Sequence, residues 1–189
     1  MSQTITNRMR WTTTDIDLLA SSDYKRYEII DGELFVTRAL HWTHQETCGN
    51  ICIELERWSR VKGLGQANIH PGIIFTDNDS VIPDVVWITN ERLAVLLDDV
   101  GHLTGAPELV VEVLSPGVEQ ERRDREAKLK LYSLRGVQEY WIADWWLEKV
   151  EIYRREDTAL VLVATLTSND ELNSPLLPDF ACSVRRFFE

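Results

Sequence analysis

The apolar positions of this 189-residue chain follow two periods, one near two residues and one of about 3.6, and changes of period mark its elements. Thr13 or Thr14 can cap a short helix over Asp15 to Ala20, with acidic residues in its first turn. Arg26 to Thr37 reads as a hairpin, because the β-prone runs YEII and ELFV flank Asp31-Gly32. From Thr43 to Lys62, Ile51, Leu55 and Trp58 recur at helical spacing and Gly63 supplies a stop. Gln66 to Phe75 and Val81 to Ile88 read as strands around the polar turn Thr76 to Ser80, and Asn90 to Ala106 as a looser stretch. Glu108 to Leu114 is nearly continuous in apolar residues, as in a strand buried on both faces. Val118 to Arg135 then predicts a helix stopped by Gly136, followed by strands over Gln138 to Asp144, Lys149 to Arg155 and around Leu160 to Leu166, and an irregular tail. The order predicts an α/β sandwich with a mixed sheet.

Composition narrows the class. With 44% hydrophobic and 27% charged residues and no internal repeat or Pro/Gly/Ser linker, the chain is expected to form one domain over 1–189, with residues 1–10 frayed. No run approaches the ~20 apolar residues of a membrane span, and the N-terminus lacks the apolar stretch of a secretory signal. Three cysteines, Cys48, Cys52 and Cys182, make no even-numbered framework, so thiols in a cytoplasmic protein are expected. A net charge of −11 argues against tight non-specific DNA binding but leaves nucleic acid open as a substrate, engaged weakly and with metal ions as bridges.

Three residues break the apolar pattern. Strand alternation puts Glu112 on one face with Val110 and Leu114, which predicts a buried carboxylate that must be paired, metal-bound or protonated. Asp84 shares a face with Val86 and Ile88 behind Pro83, either as a turn-bonding residue or as a second inward acid. On the following helix, Ala127, Leu131 and Leu134 form an apolar stripe, and Asp124, Lys128 and Tyr132 run along its edge. Lys128 therefore points to the sheet, beyond a simple pair with Asp124, whereas Lys130 lies on the outer face. Two carboxylates suit Mg²⁺ or Mn²⁺, and an ammonium beside them can offset transition-state charge or position the attacking water; metal-assisted phosphodiester hydrolysis is the chemistry implied.

Other groupings carry less. His44, Cys48 and Cys52 fall at i, i+4 and i+8 but lack a second pair of zinc ligands, and a packed or helix-starting histidine explains His41 and His44. Ser115 has no nucleophile-elbow context and no phosphate-binding glycine loop occurs. Trp145 and Trp146 fit either a partner surface, including a homodimer, or the cover of a hairpin. Arg122, Arg123 and Arg125 are the best candidates for DNA backbone contacts, although the run Glu119 to Glu126 also reads as a solvated helix start.

The segments Pro83-Asp84, V-E-V-L-S-P around Glu112, and D124-x-x-x-K128-x-x-x-Y132-x-x-x-G136-V137-x-E139-Y140-W141 resemble the Uma-type restriction endonuclease family of the PD-(D/E)xK nuclease superfamily. YEIIDGEL, the His41 to His44 segment and APELVVEVLSP share that resemblance, which covers about residues 12–155. It implies a restriction-endonuclease-like core, a central mixed sheet flanked by helices, with an N-terminal helix and hairpin. It also implies an endodeoxyribonuclease in which Asp84 and Glu112 bind Mg²⁺ or Mn²⁺. Two residues after Glu112 stands Leu114 where the superfamily has lysine, and Lys128 is the matching position on the helix. A further acid from the N-terminal region is implied, with Glu33 preferred over Glu28 and Glu46; Tyr132 is expected in the core. A nuclease fold kept as a binding or assembly module, or a phosphodiesterase on RNA or small nucleotides, are the competing readings.

Overall fold

A computed structural model of the chain describes residues 9–19, 25–37 and 41–189. A first helix, α1 (Thr13–Leu19), begins two residues earlier than expected, and Ala20 lies outside the described residues. Of the ten residues expected to fray, 1–8 also lie outside them, whereas Arg10 is held by Asp31 at 2.8 Å. Strands β1 (Arg26–Ile30) and β2 (Glu33–Thr37) form the predicted hairpin. Its two-residue turn needs positive φ at both positions, supplied by Asp31 at 51° and Gly32 at 75°. Helix α2 (Trp42–Lys62) opens on a His41 cap and closes on Gly63 at φ 68°, whose amide donates to the Ser59 carbonyl.

The expected strand Gln66 to Phe75 is two strands in different sheets, β3 (Gly65–Ile69) and β4 (Ile73–Thr76). His70 in left-handed backbone at φ 54°, followed by Pro71 with no amide donor, breaks the ladder between them. Likewise β5 (Asp79–Val81) occupies part of the expected turn, and β6 is Val85–Thr89. The looser stretch contains α3 (Asn90–Leu96), capped by the Thr89 hydroxyl accepting from the Arg92 amide. Strand β7 (Leu109–Val113) is buried throughout, as its run of apolar residues predicts.

The next helix holds a departure from periodicity. It comprises α4 (Val118–Arg122), a π-helical stretch Arg123–Lys128 and α5 (Leu129–Arg135). A π turn adds a residue to the helical circuit, so the apolar stripe slips: Leu131 stays buried while Leu134 is 72% exposed. The face turned to the sheet instead carries Asp124, Lys128 and Tyr132. Strands β8 (Glu139–Asp144), β9 (Lys149–Glu156) and β10 (Ala159–Thr167) follow. The tail expected to be irregular is a hairpin, β11 (Glu171–Ser174) and β12 (Leu177–Ser183), ending in a 3₁₀ turn, Val184–Phe187. Its inward residues Leu172, Leu177, Phe180, Val184 and Phe187 carry the core well beyond residue 155.

Among the described residues three sheets result: β2-β1-β5-β4, the mixed β10-β9-β8-β7-β6-β3, and β11-β12. In the six-stranded sheet only β7 and β8 run parallel, and a parallel pair needs a crossover. That crossover is the interrupted helix, which lays Lys128 over β7. One core joins α2 and the C-terminal hairpin to one face of this sheet; the other joins α5, β4 and β5 to the opposite face. Among the described residues no helix is long and apolar enough to cross a membrane.

Candidate active site

Glu112 projects from near the C-terminal end of β7 onto the crossover-helix face and is 2% exposed. Its Oε1 accepts hydrogen bonds from Lys128 Nζ at 2.9 Å and the Tyr132 hydroxyl at 2.8 Å. Tyr132, expected as core, packs in the core and also touches this carboxylate. Lys128 Nζ lies 3.0 Å from Glu28 Oε1 and 3.9 Å from Asp124 Oδ1, so one ammonium serves three acids. Burial alone would lower the Lys128 pKa, but Glu112, Glu28 and Asp124 outweigh it and raise the pKa above its ordinary value. Lys128 is therefore a fixed cation and not a proton acceptor. Burial, opposed by Lys128 and reinforced by Asp84, Asp124 and Glu28, pushes the Glu112 carboxyl up to about 8.

Asp84 stands just before β6, at the edge that Pro83 marks. Its Oδ2 accepts from the Val113 amide at 2.9 Å, fastening it to the strand that carries Glu112. His44 Nε2 lies 3.3 Å from the same oxygen, and His70 Nε2 and Arg26 Nη1 approach Oδ1 at 3.4 and 3.6 Å. Burial would raise the Asp84 pKa, but both imidazoles and Lys128 outweigh it and hold the group well below the ordinary carboxylate range.

The structure thus brings Asp84, Glu112 and Lys128 to one place and leaves other expected residues elsewhere. Glu33 is exposed and faces an outer groove of about 680 Å³, whereas Glu28, two residues inside the hairpin, accepts from the Ile82 amide and Lys128 within the cluster. The three arginines are engaged within the molecule. Arg123 turns inward to Thr37 at 3.0 Å, Asp124 at 3.2 Å and Glu28 at 3.6 Å, and counterbalances the acids. Arg125, partly exposed, binds Glu121 and Glu151, and Arg122, paired with Glu126, is the most exposed of the three. His70 was not anticipated. Its Nε2 is buried without a hydrogen-bond partner beside Asp84, and its amide donates to the Asp84 carbonyl at 3.1 Å.

Asp84, Glu112, Glu28, His44, Arg123 and Lys128 bound a cavity of about 20 Å³, room for one water-sized species. Glu112 Oε1 is already doubly bonded by donors, and Asp84 Oδ1 meets only the longer contacts above, so Glu112 Oε2 and Asp84 Oδ1 remain as acidic oxygens for a cation. These hard donors fit Mg²⁺ or Mn²⁺. Among the described residues, His44, Cys48 and Asp84 also place ligand atoms within 4.8 Å of one another. Cys48 is a poorer ligand here, because burial, and then Asp84 and Glu112, raise its pKa far above that of a free thiol. Cys52 does not join this group.

The sequence matches the Uma2 family, described as "Putative restriction endonuclease", over residues 14–185. The chain belongs to the Uma2 family. Its fold is similar to that of a solved structure described as "a putative nuclease belonging to DUF820" from Anabaena variabilis. The TM-score is 0.71 at 17% identity, covering 92% of this Uma2 chain and 96% of the other. No curated protein matches.

Proposed function

We propose that the protein is a divalent-metal-dependent endonuclease that hydrolyses DNA phosphodiester bonds, with Asp84 and Glu112 holding Mg²⁺ or Mn²⁺ and Lys128 as the catalytic cation. The observation that carries this reading is the convergence of an acid before β6, an acid within β7 and an ammonium from the crossover helix on one ion-sized cavity. When bound, the cation would polarise a phosphoryl oxygen and acidify a water.

The chain's own groups do the rest. The Val113 amide and His44 fix the orientation of Asp84. Glu28 and Glu112 hold the ammonium in place, where it can donate to a non-bridging phosphoryl oxygen as negative charge grows there. Because Lys128 stays protonated, it contributes charge and hydrogen bonds and leaves proton abstraction from the water to other groups.

Cleavage of supercoiled plasmid, circular single-stranded DNA and RNA in Mg²⁺, Mn²⁺ or EDTA, with wild type beside Asp84→Ala, tests this. Metal-dependent nicking by wild type, lost in a variant that melts cooperatively, is the expected result. Cleavage by Asp84→Ala at the wild-type rate overturns the site. A second reading, a nuclease fold used as a non-catalytic module, draws on the intramolecular pairing of Arg123 and Arg125; it requires neither cleavage nor metal binding by calorimetry.

A further inference from the structure

Beside the cavity, three aromatic rings form a column. The His41 and Trp145 rings stack with centroids 4.9 Å apart and planes 16° apart, and Trp145 stacks on Trp146 at 3.6 Å and 23°. Trp146, in the turn between β8 and β9, is 51% exposed, and Trp42, next to His41, is 81% exposed. Large aromatics in water are costly to keep, and a cluster of them marks a binding surface.

The column is rigidly built. His41 Nδ1 accepts from the Thr43 amide at 3.2 Å as the cap of α2, and Trp145 Nε1 donates to the Leu114 carbonyl at 3.1 Å. The same two attachments join it to the candidate active site. His44, one helical turn beyond His41, and Ser115, the residue after Leu114, both border the cavity that holds Asp84 and Glu112. A strand whose phosphate sat at that cavity would have its neighbouring bases beside these rings.

Electrostatics favours one kind of strand. The chain carries −11 and Arg123 and Arg125 are already paired with acids, so counterion release from phosphates contributes little to affinity. Stacking needs no positive charge and accepts any base, but it requires the base face to be free, which a paired duplex does not offer. We propose that Trp146 and His41, the exposed outer rings of the column with Trp145 stacked between them, form a stacking platform for unpaired bases, and that the substrate is single-stranded or locally melted nucleic acid. The proposal rests on the nuclease reading of the adjoining site.

The test is fluorescence-anisotropy titration of the full chain with labelled oligothymidylate and with a duplex of equal length, in EDTA and at two salt concentrations. The single strand is expected to bind more tightly and with a shallow salt dependence. Trp146→Ala should weaken it by about 5- to 150-fold, the span of one base–aromatic stack, and Trp146→Phe should restore most of that. Leu147→Ala, in the same turn and more solvent-exposed, should leave binding unchanged. Wild-type binding by Trp146→Ala, or duplex bound as tightly as single strand, overturns the platform. So does a dimer by light scattering that Trp146→Ala converts to monomer with no change in oligonucleotide binding, which would make a second copy the occupant. Since binding is read without turnover, ring-dependent binding with no cleavage in Mg²⁺ would sink the nuclease reading alone, and cleavage without ring dependence would sink the platform alone.

Discussion

Replacing Lys128 with methionine keeps the side chain's bulk and removes its charge, which makes it the sharpest perturbation of the cluster. Nζ lies 2.9 Å from Glu112 and 3.0 Å from Glu28, and all three side chains are at most 5% exposed. At an effective dielectric of about 20, each contact is worth roughly 5 kcal/mol of gross attraction when its carboxylate is ionised, against a desolvation cost of several kcal/mol for the ammonium. Removing one partner of a buried pair costs about 3–5 kcal/mol, because the other charge stays behind uncompensated. In a chain of this size that lowers Tm by about 6–20 °C. Melts followed by circular dichroism in EDTA should show the larger deficit at and above pH 8, where Glu112 ionises beside the missing ammonium, and a smaller one at pH 5, where Glu112 keeps its proton. Adding Glu112→Gln to Lys128→Met should recover part of the loss, since it removes one uncompensated acid; a double-mutant cycle isolates that coupling. A Lys128→Met protein melting within about 2 °C of wild type at pH 8, well below the drop of about 6–20 °C expected for a broken buried pair, would refute the electrostatic account.

The metal-free protein should lose stability as pH rises from about 5 to 8: the native state keeps the Glu112 proton up to about 8 while the unfolded chain releases it near its ordinary value, so the native state binds more protons across that window. Glu112→Gln should flatten this slope, and a wild-type Tm that climbs over the same range would contradict it. His70→Asn keeps a residue suited to the left-handed backbone but removes the imidazole nitrogen beside Asp84; metal affinity or nicking rate should fall about 10- to 100-fold with Tm nearly unchanged, and unchanged kinetics would make His70 a spectator. Arg123→Met should lower Tm because it strips the counter-charge from Glu28 and Asp124, whereas Arg122→Ala, at an exposed i, i+4 pair, should melt as wild type; equal effects would argue against the inward role of Arg123.

The parts of the fold readable from sequence are those where one local signal decides. Asp31-Gly32 admits a two-residue turn and little else, and the apolar run of β7 has length and composition suited only to a strand covered on both faces. What escaped reading depends on partners far along the chain. The run Arg123–Lys128 is made of good helix formers and carries no local mark of a π turn, yet that turn decides that Tyr132 and not Leu134 faces the sheet. The C-terminal strands alternate weakly, with exposed and buried residues interrupted by a register shift between Asn173 and Ser174, so their pairing was hidden until α2 supplied the surface they cover.

The same division runs through the site. Glu112 and Asp84 were visible because each places a charge where the strand period demands an apolar residue, and desolvation makes such a placement costly unless something compensates it. Glu28 and Glu33 sit on one hairpin with equally plausible alternation, and nothing within the hairpin says which acid is turned inward. The choice is made by Lys128 and Arg123, about a hundred residues later, which provide the positive charge that Glu28 needs in order to be buried. A buried acid therefore becomes readable from its own strand only when its neighbours are all apolar; where the local pattern is mixed, the deciding information lies in the counter-charge. By that argument the search for the remaining members of this cluster should start from its cations, and Arg26, 3.6 Å from Asp84 and on the same strand as Glu28, is the next residue whose charge the cluster requires.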